Sequence, residues 1–120
     1  MAAVTIVQGE DRVLIFQITE IDSSGNTTYL DMTSATSVEL RAPAASSGYV
    51  SFTMAASEIA ITSAKLGEFS VSMSDIKTAL LRVGSSQNAE VTINFATLPT
   101  LNIRIAQLLG AISVTAKLFP

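Results

Sequence analysis

From residue 36 to 41 the side chains alternate, with Val38 and Leu40 on one side and Ser37, Glu39 and Arg41 on the other. A period of two is that of a strand with one buried face. The polar stretch before it, Leu30-Asp31-Met32-Thr33-Ser34, predicts a turn in which Asp31 and Thr33 bond nearby backbone N–H groups. The same alternation marks most of the chain. Residues 4–7 form a short apolar run and predict a first strand, followed by a turn at residues 8–11. Residues 12–20 are the longest strand candidate, with Leu14, Phe16 and Ile18 on one face. Val13 and Ile15 make the other face apolar at one end, which points to cover there from a second layer or another subunit.

A hairpin loop is predicted at residues 22–26 and a Pro- and Gly-bounded loop at residues 42–48. Strands follow at 49–54, at 58–62 and, after a turn at 65–67, at 68–73, where Phe69, Val71 and Met73 point inward. Residues 74–82 hold the one helix candidate. Ser74 suits the N-cap, Asp75 the first turn, and Ile76 and Leu80 meet at i, i+4. A loop at 84–88 then leads to three strands. These carry Val91, Ile93 and Phe95, then Leu101, Ile103 and Ile105, then Ile112, Val114, Ala116 and Leu118 on their inward faces. The pattern predicts an all-β fold, an antiparallel β-sandwich (Ig-like) with one short helix, formed by residues 1–120 as a single domain.

Composition narrows the function. Only 14% of the residues are charged and 48% are hydrophobic, against about 25% charged in an average soluble domain. Something must cover so weakly charged a surface. No run of 18 apolar residues occurs, and residues 98–120 are interrupted by Asn102, Arg104, Gln107 and Lys117, so no membrane span is expected. The N-terminal residues lack the pattern of a signal peptide. Burial in an assembly is the favoured expectation, with a monomer whose surface is rich in Ser and Thr as the alternative. Val13 and Ile15, or the apolar stretch containing Leu108, Leu109, Leu118 and Phe119, are the candidate interface residues.

The seven basic residues are scattered and the net charge is −3, so nucleic-acid binding is not expected. Histidine and cysteine are both absent. A Ser-His-Asp triad, a disulfide and a thiolate metal site are therefore excluded. Ser74 and Lys77 stand three apart but lack an oxyanion motif, so Ser74 reads as a helix cap. Glu10, Asp11, Asp22 and Asp31 do not have the spacing of an EF-hand loop and read as solvated turn carboxylates. The sequence predicts no catalytic residue, no cofactor and no metal site.

A series of landmarks adds a family. Gly9-Glu10-Asp11 precedes Leu14, Phe16 and Ile18. Leu30-Asp31-Met32-Thr33-Ser34-Ala35-Thr36-Ser37-Val38 follows, then Gly67-Glu68-Phe69-Ser70-Val71, Asp75, Thr78, Leu81 and Gly84. Val91 and Ile93 come next, and Gly110-Ala111-Ile112-Ser113-Val114 closes the series. This order resembles the N-terminal β-sandwich domain of bacteriophage baseplate upper proteins and related tail-associated modules. Ser34 stands where that family usually has Gly. The sequence ends at Pro120 with no receptor-binding or fibre extension, so the resemblance implies the docking part alone. It implies a non-enzymatic structural protein of a tailed-phage virion, made in the host bacterial cytoplasm. Such a protein acts as an adaptor in the tail, baseplate or neck. Its partners are other virion proteins and other copies of itself in a homo-oligomer. Two alternatives stand beside it. One is a capsid cement or decoration protein. The other is a carbohydrate- or host-surface-binding module using loops 22–28, 43–48 and 84–88.

Overall fold

The computed structural model describes residues 4–21, 23–96 and 103–116, and over 103–111 the backbone alone. The fold is all-β. Ten strands are defined among the described residues: β1 (Val4–Val7), β2 (Arg12–Gln17), β3 (Thr19–Ile21), β4 (Thr27–Tyr29), β5 (Ala35–Pro43), β6 (Tyr49–Thr53), β7 (Ile59–Ser63), β8 (Glu68–Met73), β9 (Gly84–Phe95) and β10 (Ile103–Thr115). One helical turn, α1 (Asp75–Thr78), follows β8.

Two sheets face each other. One has the order β1-β10-β9-β5-β6 and the other β2-β8-β7, while β3 and β4 form a separate hairpin. Inward-facing residues of both sheets merge into one core. Val38, Leu40, Phe52, Val91 and Ile93 come from the larger sheet, and Leu14, Phe16, Phe69, Val71 and Met73 from the smaller. The alternation of each strand places them there, and each such side chain stabilises by roughly 1.5–3 kcal/mol on burial. Phe16 and Phe69 are register partners with ring centroids 5.7 Å apart. With the β3–β4 hairpin set aside, β2, β5, β6, β7, β8, β9 and β10 sort into sheets as strands B, C, C′, D, E, F and G of an immunoglobulin sandwich. The first strand is placed differently from the constant-type arrangement. There strand A lies in the sheet of B, E and D. Here β1 runs parallel to β10 in the opposite sheet, so the sandwich is not wholly antiparallel.

Several expected boundaries shift, each for a local reason. The strand expected over 12–20 divides at Ile18. The Ile18 N–H bonds the Gly67 carbonyl, while the Ile18 carbonyl accepts from Leu30 N–H, which turns the chain out of the sheet into the hairpin. The loop expected at 42–48 shortens because β5 runs on to Pro43, with Ala42 and Ala44 buried. The loop expected at 84–88 is the start of β9, paired with β10 at Gly84–Val114 and Gln87–Ile112. The last two expected strands are one, β10, with register shifts between Leu108 and Val114. The helix is one turn rather than residues 74–82. Ile76 and Leu80 are exposed, the turn buries Thr78, and Leu81 is buried beyond its end.

Candidate interaction surface

Strand β2 carries the surface that its sequence flagged. Leu14 and Phe16 point into the core, so Val13 and Ile15 point out, and they are 60% and 64% exposed. Their register partners on β8 are Ser72 and Ser70, and Ala60 of β7 lies beyond Ser70. Two aliphatic side chains thus stand side by side on an otherwise small and polar face. No described element of the chain covers them. Leu108 and Leu109 lie on β10, but their side chains fall outside the described residues, as do Leu118 and Phe119 altogether.

The hydrogen-bond ladders show which backbone groups are used. Ser72 N–H donates to the Glu58 carbonyl, so alternation turns Ser70 and Ser72 toward β7 and Phe69, Val71 and Met73 toward β2. Their partners Phe16, Leu14 and Arg12 bond inward. Val13, Ile15 and Gln17 therefore aim both N–H and C=O away from β8, along the sheet edge.

The edge of β6 is treated differently. Thr53 N–H donates to Glu58 Oε1 at 3.1 Å, and Glu58 N–H donates to the Thr53 carbonyl at 3.0 Å. Lys77 Nζ donates to the Ser51 carbonyl at 2.6 Å and sits 5.1 Å from the centre of the Phe52 ring. Glu58 and Lys77 thus occupy the outward bonding groups of Thr53 and the outward carbonyl of Ser51. The sequence reading missed this role of Glu58 and Lys77, because no local pattern tells which strand lies at an edge.

Helical turn α1 binds the neighbouring loops. Lys77 N–H donates to Ser74 Oγ at 3.3 Å, so Ser74 is the cap the sequence predicts. The Lys77 amine is 2.7 Å from Glu58 Oε2 and is engaged there rather than by Ser74. Asp75 N–H donates to Asp11 Oδ1 at 2.8 Å, and the buried Thr78 hydroxyl donates to the Glu10 carbonyl at 2.8 Å. An open depression of about 270 Å³ lies beside β2, lined in part by Asp11, Val13, Glu58 and Ser74. It falls just below the size usual for ligand pockets, and these acidic and hydroxyl groups already hold α1 and β6 in place.

The turn carboxylates are dispersed. Asp31 Oδ1 accepts from both the hydroxyl and the N–H of Thr33, and these bonds hold its carboxyl below the ordinary value of 3.8. Asp22 lies outside the described residues. Among the described residues no three acidic side chains gather into a group able to hold a metal ion. The three loops suggested as one binding edge do not form one. Pro43 and Ala44 meet Arg82 and Leu81, which places loops 43–48 and 84–88 together. The 22–28 hairpin instead leaves the sheet beside Gly67, at the other end of β8 from α1. Among the described residues no helix is long and apolar enough to cross a membrane.

No protein-family model matches the chain, and no curated protein sequence matches it either.

Proposed function

We propose that this chain is a non-enzymatic structural module that works by assembly, as an adaptor in the tail, baseplate or neck of a tailed-phage virion. One observation carries the assembly reading: Val13 and Ile15 stand exposed together on a sheet edge whose backbone groups point outward. A surface of that kind suits association better than solvent. The low proportion of charged residues supports the same reading. The virion setting rests on the order of sequence landmarks, which resembles that of baseplate upper proteins. The division of the loops between two ends of the sandwich weighs against a loop-borne glycan site.

The test is to find the protein in particles. An antibody raised against the purified chain is applied to virions of the phage, or induced prophage, whose genome encodes it. Gold label at the tail, baseplate or neck is the expected result. Label over the capsid shell would replace the adaptor by a decoration protein. Particles without label, or a coding sequence outside any phage or prophage, would overturn the virion reading.

A further inference from the structure

We infer that β2 pairs with β2 of a second copy of this chain, joining two three-stranded sheets into one continuous sheet about a two-fold axis. This deepens the assembly reading above and rests on it. The argument starts from how the sheet edges are managed. Exposed edges are sites of unwanted pairing, and proteins blunt them with short strands, bulges, charges or covering groups. Strand β1 is only four residues long. The ladder of β7 with β8 is irregular between Ile61 and Ser63. The edge of β6 is capped by Glu58 and Lys77. Beyond Arg12, none of these devices is found on β2 among the described residues. It is six residues long, regular throughout its register with β8, and free of Pro and of charge from Val13 to Gln17. It also fills the position of strand B, beside which a constant-type sandwich places strand A. Here β1 lies in the other sheet, and among the described residues no strand takes that place.

A second copy fits that place because the edge is complementary to itself. The outward-bonding residues are Val13, Ile15 and Gln17. In an antiparallel pair centred on Leu14, Val13 lies opposite Ile15 of the second copy, and Ile15 lies opposite its Val13. Each such pair exchanges both N–H···O bonds. Arg12 falls opposite Phe16 and Asp11 opposite Gln17, so no like charges meet. The four aliphatic side chains then form one apolar strip across the axis, in place of two exposed pairs. Such an interface is isologous and closes at two copies.

The chain has no cysteine, which permits a direct test of register. Opposed residues of a bonded antiparallel pair have Cα atoms about 5.5 Å apart, within disulfide range. Val13→Cys and Ile15→Cys chains are prepared separately, then oxidised alone and as a mixture. A disulfide-linked dimer forming readily in the mixture and not from either chain alone is the expected result. Rapid linkage of Ile15→Cys alone would overturn the Leu14-centred register, and absence of linkage in all three samples would overturn the pairing. Light scattering on the unmodified chain at several concentrations is expected to give a dimer. Ile15→Lys should abolish that dimer and leave the thermal unfolding midpoint of the monomer unchanged. A dimer that survives Ile15→Lys would overturn the proposal. A monomer at every concentration would also overturn it. Virions that label at the tail would still support the adaptor reading in that case, so the two failures are separable.

Discussion

Lys77 Nζ lies 2.7 Å from Glu58 Oε2, and this pair closes the edge of β6. The Glu58 carboxylate takes the Thr53 N–H with its other oxygen, and Lys77 bonds the Ser51 carbonyl. Two residues nineteen positions apart thus bond an edge at which no further strand lies among the described residues. Their side chains are 17% and 34% exposed, so solvent screens the pair only in part. The same arrangement fastens α1, on which Lys77 sits, to the neighbouring edge.

Lys77→Met keeps most of the side chain's apolar stem and removes its donors. It should lower stability by about 1–2 kcal/mol, the scale of a hydrogen bond to a charged group after allowance for exposure. In a double-mutant cycle with Glu58→Gln, urea unfolding should show a coupling of about 0.5–1 kcal/mol. Additive losses would mean that the two residues do not act as a pair.

Gly67 supports the point where the chain leaves the smaller sheet. Its φ is +62°, and a Cβ there would lie 2.5 Å from the Ile18 carbonyl oxygen and 2.8 Å from that of Leu30. Both neighbours are backbone atoms and cannot step aside cheaply. Gly67→Ala should therefore cost about 2–4 kcal/mol, from the left-handed backbone and the crowding together. Gly25 has φ +85° and open space around it, so Gly25→Ala should cost only about 1 kcal/mol. Equal denaturant midpoints for the two variants would show that the crowding is relieved by movement.

The contrast between these sites shows what the sequence made legible. Where side chains alternate, burial follows. Leu14 and Phe16, Val38 and Leu40, and Phe69, Val71 and Met73 are all buried as their spacing predicts. Residues 84–88 carry no such signal, because the pairing with β10 runs through Gly84 and Gln87 across register shifts, and the exposed side chains of Ser85, Ser86 and Asn88 record nothing of it. One helical turn is too short to show a period of 3.6, so Ile76 and Leu80 misled and Thr78 went unnoticed. The choice of β1 to run beside β10 is a tertiary one, and its four residues do not encode it. The two-faced pattern of Val13 and Ile15 was readable as an anomaly. That β2 lies at an edge became visible only with the sheet order.

Thr78 is the buried polar residue of the described core, and its hydroxyl links α1 to the β1–β2 turn through the Glu10 carbonyl. Thr78→Val preserves shape and removes the donor. The expected loss is about 1–2 kcal/mol, the usual consequence of leaving a hydrogen-bonding group without its partner. Amide hydrogen exchange should quicken in residues 8–11 and 75–81. Thr78→Ser, which keeps the hydroxyl, should leave that exchange nearly unchanged. Equal exchange in the two variants would assign the residue a packing role alone.

Asp31 gives the fold a defined response to acid. The Thr33 hydroxyl is the first cause of its lowered pKa and the Thr33 N–H the second. Because the folded value is depressed, the contribution of Asp31 is fully present above its ordinary value of 3.8. It is lost as pH falls through the lower folded value. The carboxylate form is the one that accepts both Thr33 bonds, so protonation should loosen the turn that feeds β5. A carboxyl titration followed by NMR should place the Asp31 midpoint below 3.8. The Thr33 amide resonance should move with the same midpoint. Thr33→Val removes the hydroxyl donor and keeps the N–H, so the midpoint should rise toward the ordinary value without fully reaching it. A midpoint that does not move in this variant would show that the hydroxyl is not what holds the Asp31 proton off.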